Sequence, residues 1–148
     1  MWKDCVKIRG HVRVIDNHTG IILREADNIV VNVGISHIMA LLSGGSETMM
    51  TYVAVGSGST SPTTADTALE AQIGARASAT RSSPTAYTIQ WQATFGAGVC
   101  TGNWYEAGVF NASSSGKMLC RVTYGLLTKG VNDSFTLQYQ VTGADDGV

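Results

Sequence analysis

The chain has 148 residues, 14% of them charged and 44% apolar, with ten Lys plus Arg against eleven Asp plus Glu for a net charge of −1. That length fits one domain burying about two-thirds of its unfolded surface, and the composition excludes both a disordered chain and a general polyphosphate binder. The longest apolar stretch, Ile35 to Leu42, is broken by Ser36 and His37 and is too short to span a membrane. Met1 to Cys5 lack the apolar core of a signal peptide, so folding in a cytoplasm is expected. From the N-terminus, Val6, Ile8, Val12 and Val14 alternate with Lys7, Arg9, His11 and Arg13, which predicts a half-buried strand with a basic outer face. Asp16 to Gly20 has turn composition and Ile21 to Arg24 is extended again, so residues 1–27 read as an N-terminal hairpin, a candidate attachment arm. Asn28 to Val31 continues the β region. Ile35, Ile38, Met39 and Leu42 then follow helical spacing, with Asn32 as a cap and Gly44-Gly45 as the stop, so a helix over Val33 to Leu42 is expected to lay this stripe on a sheet.

Tyr52 to Val55 reads as a short strand running into the loop Gly56-Ser57-Gly58-Ser59-Thr60-Ser61-Pro62. Thr67-Ala68-Leu69-Glu70 has capping-box spacing and predicts one helical turn. Ile73, Ala75, Ala77 and Ala79 alternate with Arg76, Ser78 and Thr80. The two clearest strands carry inward Tyr87, Ile89, Trp91, Ala93 and Phe95 in one and Phe135, Leu137, Tyr139 and Val141 in the other. Their outer faces match: Thr88, Gln90, Gln92, Thr94 and Thr136, Gln138, Gln140, Thr142. Between them, Trp104 to Phe110 and Met118 to Tyr124 flank a hairpin loop at Asn111 to Gly116. About eight short strands, one short amphipathic helix and frequent polar turns predict an all-β fold, a single antiparallel β-sandwich of jelly-roll-like type over residues 1–148.

Signals for chemistry are sparse. Gly56-Ser57-Gly58 has the glycines of a phosphate loop, but Ser61 stands where a dinucleotide fingerprint needs a third glycine and no Gly-Lys-Ser/Thr follows. His11, His18 and His37 fit no nucleophile pattern, and His11, Asp16 and His18 match no zinc spacing. Asp145-Asp146 is a tail pair without the enclosure that tunes a general acid. Glu106, set in a strand among aromatic and apolar residues, either faces solvent or is paired with a cation, for which Arg121 and Lys129 are the candidates. Cys5, Cys100 and Cys120 contain no close pair, and the last two read as small apolar fillers. No catalytic residue, cofactor or metal is expected. What stands out is surface: the strip Lys7, Arg9, His11, Arg13, suited to an acidic protein partner rather than nucleic acid because no aromatics interleave it, and the uncharged Thr/Gln faces, which can be buried without desolvating charge.

The segment order Asn28 to Gly34, Tyr52 to Thr60 with Asp66 to Leu69, Glu106-Ala107-Gly108-Val109-Phe110-Asn111, Gly116-Lys117-Met118-Leu119-Cys120-Arg121 and Lys129 resembles that of small tailed-bacteriophage virion proteins of the tail-fibre, baseplate and capsid-decoration kind. The likeness runs from about Asn28 to Val141. It implies a β-rich virion structural subunit, made in the host bacterial cytoplasm, with no enzymatic activity. A compact cement protein outside the capsid, clamping neighbouring major capsid proteins, fits better than an extended fibre, and the resemblance implies a homo-oligomer, with a trimer favoured. Lys7, Arg9, His11 and Arg13 are then expected to meet the shell, and Thr88, Gln90, Gln92, Thr94, Thr136, Gln138 and Gln140 to meet other copies; no nucleic acid or membrane partner is expected. A tail, baseplate or short tail-fibre subunit is the alternative in the same class. A carbohydrate-binding sandwich, stacking Trp2, Trp104 or Tyr105 on a sugar ring, is the alternative outside it.

Overall fold

A computed structural model describes residues 6–145, with only the backbone of Asp145. Readings that fall on Met1 to Cys5, Trp2 among them, and on Asp146 lie outside the described residues. The elements are β1 (Val6–Asp16), β2 (Ile22–Val30), α1 (Asn32–Leu42), β3 (Tyr52–Gly56), β4 (Ala77–Ser78), β5 (Thr80–Thr85), β6 (Thr88–Phe95), β7 (Gly102–Phe110), β8 (Met118–Lys129) and β9 (Phe135–Asp145). Nine strands form one sheet in the order β4-β3-β7-β8-β2-β1-β9-β6-β5, and every pairing is antiparallel.

Two strand runs turn this sheet into a sandwich. Residues 22–28 of β2 pair with β1, whereas Ile29 and Val30 pair with Arg121 and Cys120 of β8, so β2 crosses from one layer to the other. At the opposite side β4 pairs with β3 and β5 with β6, separated only by Ala79. Strands that change layers at such corners are how a single sheet wraps around a core. The fold is therefore all-β and sandwich-like, nearly closed, with one short helix. The N-terminal hairpin is built into the body: β1 lies between β2 and β9, with Val12 and Val14 fully buried.

Alternation places the core. Trp91, Ala93 and Phe95 of β6 face Phe135, Leu137, Tyr139 and Val141 of β9 across the core side, packed on Val53, Val55, Ala107, Val109 and Val122 of the other layer. Trp104 is fully buried between Phe95 and Phe135, edge-on to both at 5.2 and 5.5 Å, and its indole N–H donates to Cys100 O at 2.7 Å. Aromatic edge contacts of this kind add to area burial. Tyr87 and Ile89, expected to face inward, are 75% and 47% exposed: Tyr87 lies in the turn before β6, and Ile89 lines an open cleft beside α1.

Three local expectations are corrected. The helix begins one residue early, with Val31 as the unassisted N-cap and no side-chain capping bond from Asn32. Its buried side is Gly34 and His37 with Ile38 half-buried, so Ile35, Met39 and Leu42 point outward. The cause is Gly34: a Cβ there would stand 2.2 Å from Leu119 O, so the helix rests on β8 through the glycine and its apolar stripe is rotated away. Thr67 to Glu70 is not helical, because the Glu70 carboxylate accepts from Thr60 N and Thr60 Oγ1 at 3.0 and 2.9 Å instead of capping its own segment.

Candidate functional surface

The outward residues of β2, β1, β9, β6 and β5 line up in rows fixed by the register. Asp27, His11, Gln140, Gln90 and Ser82 form one row, and Glu25, Arg13, Gln138, Gln92 and Thr80 the next. Arg9, Thr142 and Thr88 lie on one side of them, Ile15, Thr136 and Thr94 on the other. The two strands that look alike in sequence are thus neighbours, paired like with like. Gln140 Nε2 donates to Gln90 Oε1 at 2.7 Å and Gln138 Nε2 to Gln92 Oε1 at 3.3 Å, while hydroxyl pairs join Thr88 to Thr142 at 2.8 Å and Thr94 to Thr136 at 3.0 Å. Cross-strand polar pairs of this kind hold side chains in place without charge. Thr88 and Thr136 are buried, and the Thr136 hydroxyl also donates to Asn17 Oδ1 at 2.7 Å, so these two are structural and the accessible amides are those of Gln90, Gln92, Gln138 and Gln140.

The basic strip and the Thr/Gln rows belong to the same face, and two residues of the strip, His11 and Arg13, are paired with acids there. His11 lies between two carboxylates, Nδ1 2.8 Å from Asp27 Oδ1 and Nε2 2.6 Å from Glu25 Oε1; Arg13 Nε donates to the same Glu25 oxygen at 2.8 Å. With an acceptor at each ring nitrogen the imidazolium is favoured. The Asp27 hydrogen bond, against a smaller desolvation, together with Glu25, holds the His11 pKa above its ordinary 6.5. Glu25 in turn is held below its usual range, first by His11 and then by Arg13. Of the four residues expected to meet a partner, His11 and Arg13 are paired with Glu25 and Asp27 on this face, and Lys7 and Arg9 are exposed near one end of it.

The strongest electrostatic feature is internal. Glu106 is fully buried, with Arg121 Nε donating to its Oε2 at 2.7 Å. Three backbone N–H groups also point at this carboxylate: Gly58 at 3.2 Å and Ala71 at 2.8 Å on Oε1, Glu70 at 3.1 Å on Oε2. Arg121 spends its other donors on Asp66 Oδ2 at 2.9 Å and Thr60 O at 3.0 Å. Burial alone would push the Asp66 carboxyl up, but the Thr63 backbone N–H, Arg121 and the Thr63 hydroxyl outweigh it and leave it below the usual range. The Gly56-Ser57-Gly58 loop does cradle an anion, and the anion is Glu106: a Cβ at Gly56 or Gly58 would come within 2.4 or 2.6 Å of its Oε1. Every group in the cluster is occupied by another, so it is a clasp for residues 57–74. It ties together the segments Tyr52 to Thr60, Asp66 to Ala71, Glu106 and Arg121.

Of the two cations considered for Glu106, Arg121 is the partner. Lys129 instead donates to Gly96 O at 2.8 Å, 5.9 Å from the Phe135 ring centre. His18 and Asp16 share a turn, where Asp16 Oδ1 accepts His18 N at 3.1 Å, and are not brought to His11. Among the described residues no three His, Cys, Asp or Glu side chains are placed to hold a metal ion. Cys100 and Cys120 are buried free thiols, and burial pushes Cys120 up to about 12. Trp104 is unavailable to a sugar ring because it is fully buried, and Tyr105 is half-buried. Comparison of the chain with protein-family models, curated proteins and solved structures finds no match.

Proposed function

We propose that this chain is a non-enzymatic structural subunit of a bacteriophage virion, a cement protein that grips its neighbours through the face of β2, β1, β9, β6 and β5. The observation carrying the reading is that face itself, a five-strand platform of paired amides, hydroxyls and neutralised ions. Such groups exchange water for protein partners at lower cost than bare charge. The clasp at Glu106 holds the long loop on the other layer, which keeps the platform's support stiff.

Size decides how such a subunit would work. Five strands spaced about 4.8 Å apart, each spanning about seven residues of which every second one faces outward, give a patch of about 20 by 20 Å. A standard stable interface covers about 800 Å² per partner, so one platform makes a weak contact. Cementing is then additive over many copies: shell expansion must break all of them together. Major capsid proteins are the proposed partners, contacted by Lys7 and Arg9 at one end of the platform and by the glutamine rows across it, with further copies of this chain at its margins.

Arg9→Glu combined with Gln92→Glu leaves the core untouched and places two anions on the platform. Particle occupancy, measured by gel densitometry after sedimentation, should fall at least tenfold while the circular dichroism spectrum is unchanged. Unchanged occupancy would remove the platform from the interface. Gold labelling confined to the tail would select a tail or baseplate subunit instead.

A further inference from the structure

Among the outward residues of the platform strands, His11 is the one whose charge ordinarily changes near neutral pH, and the register places every group around it. On β2, Asp27 stands directly opposite His11, and Glu25 stands opposite Arg13; on β9 the opposite residue is the uncharged Gln140; along β1 the charged neighbours are Arg9 and Arg13, two residues away on either side. The two carboxylates take different ring nitrogens, Asp27 Oδ1 at 2.8 Å from Nδ1 and Glu25 Oε1 at 2.6 Å from Nε2. A charged imidazolium donates to both. A neutral ring has a single N–H, so its other nitrogen turns a lone pair on a carboxylate oxygen and that carboxylate is expelled. Their remaining bonds decide which one goes. Glu25 Oε1 also accepts from Arg13 Nε at 2.8 Å, whereas the Asp27 side chain is 90% exposed and His11 is its one hydrogen-bond partner among the described residues.

We propose that His11 is a pH-operated latch on the docking face, a role that rests on the platform reading above. Charged, it holds Asp27 down and leaves His11, Arg13, Glu25 and Asp27 with no net charge; uncharged, it keeps Glu25 through Nε2–H and frees Asp27, and the same four groups carry one excess negative charge. A partner with an acidic surface, the kind suited to the exposed cations Lys7 and Arg9 on the same strand, meets a balanced centre in the first state and a like charge in the second. A freed carboxylate would also have to shed its water beneath the partner with no donor to replace it. Docking therefore favours the protonated ring, and by reciprocity a docked partner retains that proton. The Asp27 hydrogen bond, opposed by desolvation and helped by Glu25, sets the change above the 6.5 of an ordinary histidine. Raising pH through that value loosens the face, and lowering it restores the grip.

NMR of the intact protein follows the His11 ring nitrogens and the Asp27 and Glu25 carboxylate carbons from about pH 5.5 to 9. As the ring loses a proton, the one that remains should sit on Nε2 and the Asp27 signal should move in step, with Glu25 changing less. A proton retained on Nδ1, or an Asp27 signal that ignores the ring, overturns the latch. Docking is read by particle occupancy at about pH 6 and pH 9, for the native protein and for Asp27→Asn, an exposed change that leaves no anion to free; comparing the two cancels titration of the particle itself. Native occupancy should fall at least fivefold more than that of Asp27→Asn, within the limit of about tenfold per pH unit for one linked proton. An equal fall in both, while Arg9→Glu with Gln92→Glu still lowers occupancy, overturns the control of docking and spares the platform. Full occupancy of that double variant strikes the platform itself, and the regulation with it, whatever the ring does.

Discussion

Replacing Glu106 by glutamine tests whether the buried clasp holds the fold together. The carboxylate accepts four hydrogen bonds, two on each oxygen. Glutamine keeps one acceptor oxygen and sets an NH₂ group where two donors already converge, so two bonds are lost and three donors face one another. Bonds to charged groups contribute about 1.5–3 kcal/mol each, and breaking a buried ion pair from one side costs about 3–5 kcal/mol. These figures overlap, so the expected loss for Glu106→Gln is about 3–5 kcal/mol, a large part of the roughly 5–15 kcal/mol that stabilises a domain. At about 2–4 °C per kcal/mol for this chain length, Tm should fall by about 6–20 °C. Calorimetry and urea titration measure the loss, and hydrogen exchange at the Gly58, Glu70 and Ala71 amides localises it. Arg121→Met should cost a similar amount, and the double variant clearly less than the sum of the two. A loss under about 1 kcal/mol for either single change, the size expected of an exposed pair, would refute the reasoning.

Three further outcomes follow from the geometry. His11 has a folded pKa raised above 6.5, so its pairing stabilises fully below 6.5 and is lost as pH rises through the raised value; Tm should decline over that window in the native protein and stay flat in His11→Gln, and the opposite slope would contradict the cluster. Gly34→Ala drives a methyl onto Leu119 O, so it should cost about 1–3 kcal/mol or more by overpacking and loosen α1; an unchanged urea midpoint would show that the helix does not rest there. Cys120, buried with its thiol pushed up to about 12, should resist iodoacetamide in the folded protein and react once urea unfolds it, as peptide mass spectrometry would show.

The parts of this fold that were legible in the sequence are those decided by near neighbours. Alternation in β6 and β9 gave their faces because one side of each lies on the core, and the setting of Glu106 narrowed its surroundings to solvent or a cation, Arg121 being one of the two candidates. The helix was found by its period, yet its phase was wrong: apolar spacing cannot show that a glycine seats the helix and leaves Ile35, Met39 and Leu42 outside. Residues 57–74 were illegible because their conformation is set by Glu106 and Arg121, distant in sequence. The pairing of His11 and Arg13 was equally hidden, since their acids, Glu25 and Asp27, come from the second arm of the hairpin and meet them only through the β1–β2 register.

The two corners made by β2 and by the β4–β5 run have a further consequence. A long flat sheet margin invites other chains to add strands and grow without limit, a hazard for any protein accumulated at high concentration. Here the terminal strands of the sheet order are the two residues of β4 and the six of β5, the latter carrying Arg81 and Pro84, and β2 breaks away from β8 after a two-residue pairing. Copies of this molecule are thereby directed to meet through side chains on finite patches, which favours assemblies of fixed size over fibres.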